Sequence, residues 1–256
     1  MKSAAAGRRS RTRPGRPPPG AQITLTPIDG QRRLRVESTR RLGQTPLLHT
    51  QLAPGGYLLS LNAPGRIEVK YPILVERDER LPLRIYLPAP AQVPPGFIYI
   101  PAGRFLFGSA ADDDSRRVIF AHVPLHTVRT PAFLISRYET SFADWIAFLR
   151  SLPPDQQAHR FPRAGEPGAG GTVQLHMRPD GKFELMTQPS QQSFDVREGE
   201  FITYPGRQKN ARHNWLRFPV TAVNADDVQA YTHWLNSTGK FPGARLCTEF
   251  EWERAA

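Results

Sequence analysis

Cysteine is the most versatile side chain for covalent or metal chemistry, and the chain has one, Cys247, immediately before the T-x-x-E box Thr248-Glu249-Phe250-Glu251 that opens a helix. A thiol beside a helix N-terminus has its pKa lowered by the aligned peptide dipoles. One cysteine supplies neither a disulfide nor a Cys-rich zinc site, so the preferred reading of Cys247 is a buried structural thiol, packing as a small hydrophobe. Asp112-Asp113-Asp114 offers oxygen donors suited to hard cations, yet three adjacent side chains cannot all face one ion, and a solvated loop is the reading taken. His122 and His126 are four residues apart, with Pro124 between them to prevent the helix that would bring both to one face. Glu249 and Glu251, two apart on a helix, diverge and make no acid–base pair. Arg207, Lys209, Arg212 and His213 surround Trp215 in a way that suits an acidic or peptide ligand; solvated charge beside one packed tryptophan is the plainer reading and is preferred.

Motif chemistry is otherwise sparse. The glycines of GEPGAGG (Gly165 to Gly171) have neither dinucleotide-binding nor P-loop spacing, and H-E-x-x-H, C-x-x-C and G-x-S-x-G do not occur. Asn236-Ser237-Thr238 fits a glycosylation sequon but falls where a helix ends. No residue is assigned as catalytic, as cofactor-binding or as a metal ligand.

The elements that would position these groups can be read from periodicity and turn chemistry. Ile23 and Leu25, Leu34 and Val36, Tyr57 with Leu59 and Leu61, Ile67 with Val69 and Tyr71, and Leu81 with Leu83, Ile85 and Leu87 alternate at period two. Asp29-Gly30, Pro54-Gly55-Gly56, Pro64-Gly65 and Asp78-Glu79 separate them as turns. Short strands so spaced predict a small antiparallel β-sandwich over residues 21–88, followed by a stiff proline linker over 89–95. Phe97, Tyr99, Phe105 and Phe107 predict a pair of strands about Ala102-Gly103. Thr140 or Ser141 caps a helix whose Phe142, Trp145, Ile146, Leu149 and Leu152 form a core-facing stripe ended by Pro153-Pro154. Val173, Leu175 and Met177 alternate, Pro179-Asp180-Gly181 turns, and Phe183 and Leu185 alternate again as a hairpin. Asn224 caps a helix carrying Val228, Tyr231, Trp234 and Leu235, and Gly239 stops it.

At this point a family resemblance enters. FPVTAVNADDVQAYTHWLNSTGKFPGARLCTEFEWERAA (Phe218 to Ala256) resembles the central block of formylglycine-generating enzyme domains, also called sulfatase-modifying-factor domains. PPGFIYIPAGRFLFGS (Pro94 to Ser109) resembles their opening strands, and VPLHTVRTPAFLISRYETSFADWIAFL (Val123 to Leu149) their next block. Cys247 stands where the common pattern has proline, and Thr140-Ser141 where it has Val-Thr. LGQTPLLHTQLAPGGYLLSL (Leu42 to Leu61) resembles a PEGA module, and this order of modules is similar to the C-terminal arrangement of certain bacterial serine/threonine protein kinases. The resemblance implies an α+β chain: a PEGA-like sandwich, then the N-terminal part of a C-type-lectin-like domain over residues 96–256.

For function, the resemblance implies a copper- and dioxygen-dependent oxidase acting on cysteine. Its cysteine pair and calcium ligands lie beyond the matching block in the family, so copper and calcium are expected only of a complete member and the chain alone is expected to be inactive. The alternative is a non-catalytic peptide- or ligand-binding module that partners a kinase domain. An unfinished domain also predicts poor solubility or dimerisation, with the Trp145, Trp234 and Trp252 faces short of burial partners.

Charge limits the remaining partners. The net charge is +11, but residues 1–20 carry Lys2, Arg8, Arg9, Arg11, Arg13 and Arg16 with no acid, and residues 21–41 add five arginines against Asp29 and Glu37. Only +2 remains for residues 42–256, so no broad nucleic-acid surface is indicated, and the tail over 1–20 is read as solvated and disordered. No apolar run reaches a membrane-spanning length and no signal-peptide core follows the basic start, which predicts a cytoplasmic chain.

Overall fold

The computed structural model describes residues 5–6, 18–30, 33–109, 123–166 and 168–256. Asp112-Asp113-Asp114, His122 and most of the basic tail lie outside the described residues. Contacts divide the chain into two units, Met1–Ala6 with Ser136–Cys247, and Gly7–Ile135 with Thr248–Ala256. Within the first, β1 (Ala5–Ala6) pairs antiparallel with the strand Ala244–Arg245.

The second unit is built on an antiparallel sheet of order β3-β2-β4-β5, with β2 (Gln22–Ile28), β3 (Arg40–Gln44), β4 (Gly55–Asn62) and β5 (Val69–Val75). Its register sets Ile23 opposite Leu61 and Leu61 opposite Val69, then Leu25 opposite Leu59 and Leu59 opposite Tyr71. Period-two alternation therefore delivers these six side chains to one face, and all six are buried. Burying a large aliphatic side chain fully contributes about 1.5–3 kcal/mol relative to leaving it in water.

Two of the expected strands take other forms. Leu34 and Val36 are 47% and 69% exposed, and Val36–Ser38 is a short 3-10 turn, so β3 begins only at Arg40. Residues 81–87 alternate as expected, burying Ile85 and Leu87, yet they join no ladder among the described residues. Pro82 and Pro88 lack the N–H a ladder requires. The contact from this segment is apolar packing on the sheet, with Ile85, Leu87 and half-buried Leu83 in its core.

Four strands continue the second unit: β6 (Phe97–Ile100), β7 (Gly103–Phe107), β8 (His126–Thr130) and β9 (Phe133–Ser136). The expected pairing about Ala102-Gly103 is replaced: β7 pairs with β8, setting Phe105 opposite Val128, while β6 lies beside β9.

In the first unit, α1 (Phe142–Leu149) starts at Ser141, whose Oγ accepts from the Asp144 N–H at 3.2 Å while the Asp144 carboxylate accepts from the Ser141 N–H at 3.0 Å. Pro154, expected to end that helix, begins a new one, α2 (Pro154–Ala158), since proline suits a first helical turn. An antiparallel sheet follows, β10 (Arg163–Ala164), β11 (Thr172–Met177), β12 (Phe183–Gln188) and β13 (Phe194–Arg197), in that order. Next come the ribbon β14 (Ile202–Thr203) with β15 (Arg212–His213), the helix α3 (Ala225–Ser237) and β16 (Ala244–Arg245). The last helix, α4 (Glu249–Ala255), belongs to the second unit.

The core of the first unit is aromatic. Trp145 is 1% exposed and stacks on Tyr231 at 5.3 Å between centroids, and its indole N–H donates to the Arg160 carbonyl at 3.2 Å. This corrects the expectation of an unburied Trp145 face: the Tyr231 ring from α3 covers it. Trp215 is fully buried, its indole N–H donating to the Arg197 carbonyl at 3.1 Å. Trp234 is half-buried and Trp252 is 45% exposed. No helix among the described residues is long and apolar enough to cross a membrane.

Candidate functional site

The last helix and the strands beside it hold the most unusual polar arrangement of the second unit. Thr248 caps α4, its Oγ1 accepting from the Glu251 N–H at 3.2 Å while buried Glu251 accepts from the Thr248 N–H at 2.9 Å. Glu251 is thereby committed to the cap, and Glu249 is exposed, in keeping with two carboxylates that do not act as a pair. One turn on, the Glu253 carboxylate accepts from the Gly108 N–H at 3.2 Å. Arg254 Nη2 donates to the Pro101 carbonyl at 2.9 Å, and its guanidinium lies over the Phe105 ring at 5.7 Å. The Arg254 Nε and Nη1 atoms are buried with no hydrogen-bond partner among the described residues, and burial pulls the guanidinium pKa down against the opposing Tyr71 hydroxyl.

Gly103 makes this approach feasible. A methyl group there would collide with the Tyr71 hydroxyl and stand 2.6 Å from Arg254 Nη2. Alongside, a mostly apolar cleft of about 320 Å3 is lined by Tyr71, Ile73, Leu83, Phe105, Leu106 and Glu253, among others. Arg104, also on its wall, pairs with Glu79, whose carboxylate is held below its usual pKa first by a hydrogen bond from the Glu76 backbone and then by Arg104. A cleft of this size and lining suits an apolar side chain or a small ligand.

In the first unit the family-like block folds as its local chemistry dictates. Asn224 caps α3, accepting from the Asp227 N–H at 2.9 Å, and the Asp227 carboxylate returns the bond from the Asn224 N–H at 3.0 Å. The same carboxylate pairs with Arg160 at 3.0 Å. Beside this junction a shallow cleft of about 750 Å3 is bounded by Phe148, Arg160, Asp226, His233 and Trp234. Lys240 lies 5.6 Å from the centre of the Trp234 ring.

One cluster has no counterpart in the motif reading. Glu184 receives Arg178 Nη1 at 2.8 Å, His176 Nε2 at 2.9 Å and Arg197 Nε at 3.3 Å. The Arg178 hydrogen bond, ahead of those from Arg197 and His176, holds the carboxyl below its ordinary value. The signal was present in the hairpin: the turn at residues 179–181 sets His176 opposite Glu184, and the next strand sets Arg197 opposite Glu184. This is a surface ion cluster on a sheet face.

The remaining sequence candidates are dispersed. Cys247, read from the sequence as a buried structural thiol, is instead partly exposed. His126 Nδ1 lies 2.8 Å from the Pro124 carbonyl oxygen, and its ring packs edge-on against Phe107. The Asn236 amide is taken up by the Thr232 and Ala244 carbonyls, each at 2.8 Å, so it closes the end of α3. Around Trp215, Arg207 lies over the Tyr204 ring at 4.3 Å and Arg212 over Phe201 at 4.1 Å. Among the described residues no three His, Cys, Asp or Glu side chains converge on a point where a metal would sit. Copper in its cuprous form favours soft thiolates, and one cysteine with no such cluster does not fit it.

Comparison with known proteins gives the same direction as the sequence block. The chain is 27% identical over 168 residues to a formylglycine-generating enzyme of Thermomonospora curvata, covering 66% of this chain and 50% of that protein. It is 28% identical over 160 residues to a hercynine oxygenase of Mycolicibacterium smegmatis, covering 62% and 30% respectively. Against an inactive C-alpha-formylglycine-generating enzyme 2 of Mus musculus it is 25% identical over 162 residues, covering 63% and 47%. The chain thus spans half or less of the length of these relatives. The sulfatase-modifying factor enzyme 1-like domain matches residues 85–256, which include the capped helices α1, α3 and α4, and the chain belongs to that family.

Proposed function

We propose that these 256 residues form scaffold for a cysteine-oxidising domain of the sulfatase-modifying-factor type and have no oxidase activity of their own. The observation that carries this reading is the contrast between well-built helices and missing sulfur chemistry. α1, α3 and α4 each start on a reciprocal cap, while the sequence has one thiol. One relative is named a formylglycine-generating enzyme, one an oxygenase and one an inactive formylglycine-generating enzyme, which fits a family whose scaffold can be kept without the reaction. In this reading residues 21–88 are a PEGA-like module and residues 96–256 are the N-terminal part of a C-type-lectin-like domain.

The test is a cuprous-ion titration of the purified chain, followed by oxygen-uptake and aldehyde assays on a cysteine-bearing peptide. The expected result is neither stoichiometric tight copper binding nor peptide aldehyde. Copper bound at one equivalent with turnover of the peptide sinks the proposal.

A second reading, a ligand- or peptide-binding module in a bacterial serine/threonine kinase system, is favoured by the apolar cleft beside Tyr71 and Phe105. Co-purification with a kinase domain, lost on filling the cleft with Leu83→Trp, supports it; retention in that variant removes the cleft from the account.

A further inference from the structure

The hairpin ribbon of the first unit concentrates positive charge. From Phe201 to Ala225 the sequence has no acid and four cations, Arg207, Lys209, Arg212 and Arg217, with His213 among them. All four are exposed, and none forms an ion pair among the described residues. Four other arginines of the same unit are paired, Arg150 with Glu198, Arg160 with Asp227, and both Arg178 and Arg197 with Glu184. Leaving four neighbouring cations unpaired costs repulsion that surface pairing would relieve.

Two of the four are also held in place. Arg207 lies 4.3 Å from the centre of the Tyr204 ring and Arg212 4.1 Å from that of Phe201. Tyr204 is itself fixed against Phe194 at 5.0 Å, and the Ile202 side chain anchors β14 in the core. A guanidinium stacked on a ring keeps its edge N–H groups free, in the forked geometry that matches a carboxylate. The stacking reduces the side-chain entropy that binding would otherwise remove.

We propose that the β14–β15 ribbon is a docking surface for an acidic, carboxylate-rich segment of a partner protein. Single-stranded nucleic acid fits less well. Base recognition uses open aromatic faces, and here the Tyr204 and Phe201 rings already carry arginines. Beyond residue 41 the chain has a net charge of only +2, so a long polyanion finds little attraction outside the ribbon. This inference rests on unit-one geometry alone and is independent of either functional reading.

The test is fluorescence anisotropy of a labelled oligoglutamate peptide with the 256-residue chain at low salt, with an oligothymidylate of equal charge as the comparison. Neutralising the ribbon with Arg207→Gln, Lys209→Gln and Arg212→Gln is expected to weaken oligoglutamate binding by about ten-fold, with unchanged thermal melting. Because the basic tail also attracts acids, the same difference must persist when Lys2, Arg8, Arg9, Arg11, Arg13 and Arg16 are replaced by Gln. The paired changes Arg207→Lys and Arg212→Lys keep the charge and are expected to recover only part of the affinity. Equal binding by the parent and the ribbon variant overturns the proposal, as does tighter binding of oligothymidylate than of oligoglutamate.

Discussion

Asp227 and Arg160 meet with Oδ1 and Nη1 3.0 Å apart, joining the first turn of α3 to a residue two positions beyond α2. The same carboxylate closes the Asn224 cap, and Asp227 is only 8% exposed. Replacing it with alanine removes a cap and strands a partly buried guanidinium. Asp227→Ala is expected to cost about 2–4 kcal/mol in urea unfolding, and Asp227→Asn distinctly less because an amide can still accept the Asn224 bond. Equal losses in the two variants would assign the effect to charge alone.

Gly103 gives the second expectation. Its missing Cβ is the space in which the Tyr71 hydroxyl and Arg254 come together. Gly103→Ala should destabilise by about 1–3 kcal/mol through overpacking, and the added change Tyr71→Phe should recover part of that by removing the oxygen nearest the new methyl. Thermal melting of the two single variants and the double variant measures the coupling. Strict additivity would mean that the collision is relieved elsewhere.

Tyr99 sets an alkaline limit. Burial, reinforced by the neighbouring Tyr86, pushes its hydroxyl from the usual 10.0 up to about 12. A folded-state value above the unfolded one means that the contribution is complete below about pH 10 and is lost as pH rises from there towards 12. Melting temperature should therefore fall between about pH 10 and pH 12, and less steeply in Tyr99→Phe. Tyr231 is shifted in the same direction by burial, so some alkaline loss remains in that variant.

Glu184 acts at the other end of the scale. Its carboxyl is held below the ordinary value by Arg178, Arg197 and His176, so its contribution is present at neutral pH and fades as acid protonates it below that ordinary value. Glu184→Gln should flatten the acid side of the stability profile slightly, because the cluster is on the surface and screened by salt. A profile unchanged at low salt would show that the three contacts carry no net stabilisation.

Much of this architecture was legible because one local rule governs each piece. The caps at Asn224 and Thr248 need only the residues that follow them, and both form as read. The hairpin about Pro179-Asp180-Gly181 is likewise local, and β11 and β12 pair across it. Pairing choice was not legible. β6 and β7 are adjacent in sequence, yet β7 takes β8 as its partner, a decision made by packing between distant segments. Nor could periodicity reveal that Leu34 and Val36 face solvent, since two apolar residues make too short a pattern to fix a register. The Tyr71–Gly103–Arg254 approach was hidden for a related reason: a glycine gives no sign in sequence of which side chains use its space.

The apolar run at residues 81–87 separates two properties that ordinarily travel together. Ile85 and Leu87 are buried like the core residues of the sheet they pack on, while no backbone amide from Leu83 to Leu87 donates to another main-chain group among the described residues. In deuterated solvent those amides should take up the label early, although mutating the side chains beside them unfolds the module. The stretch is glued by its residues and left unstitched along its backbone.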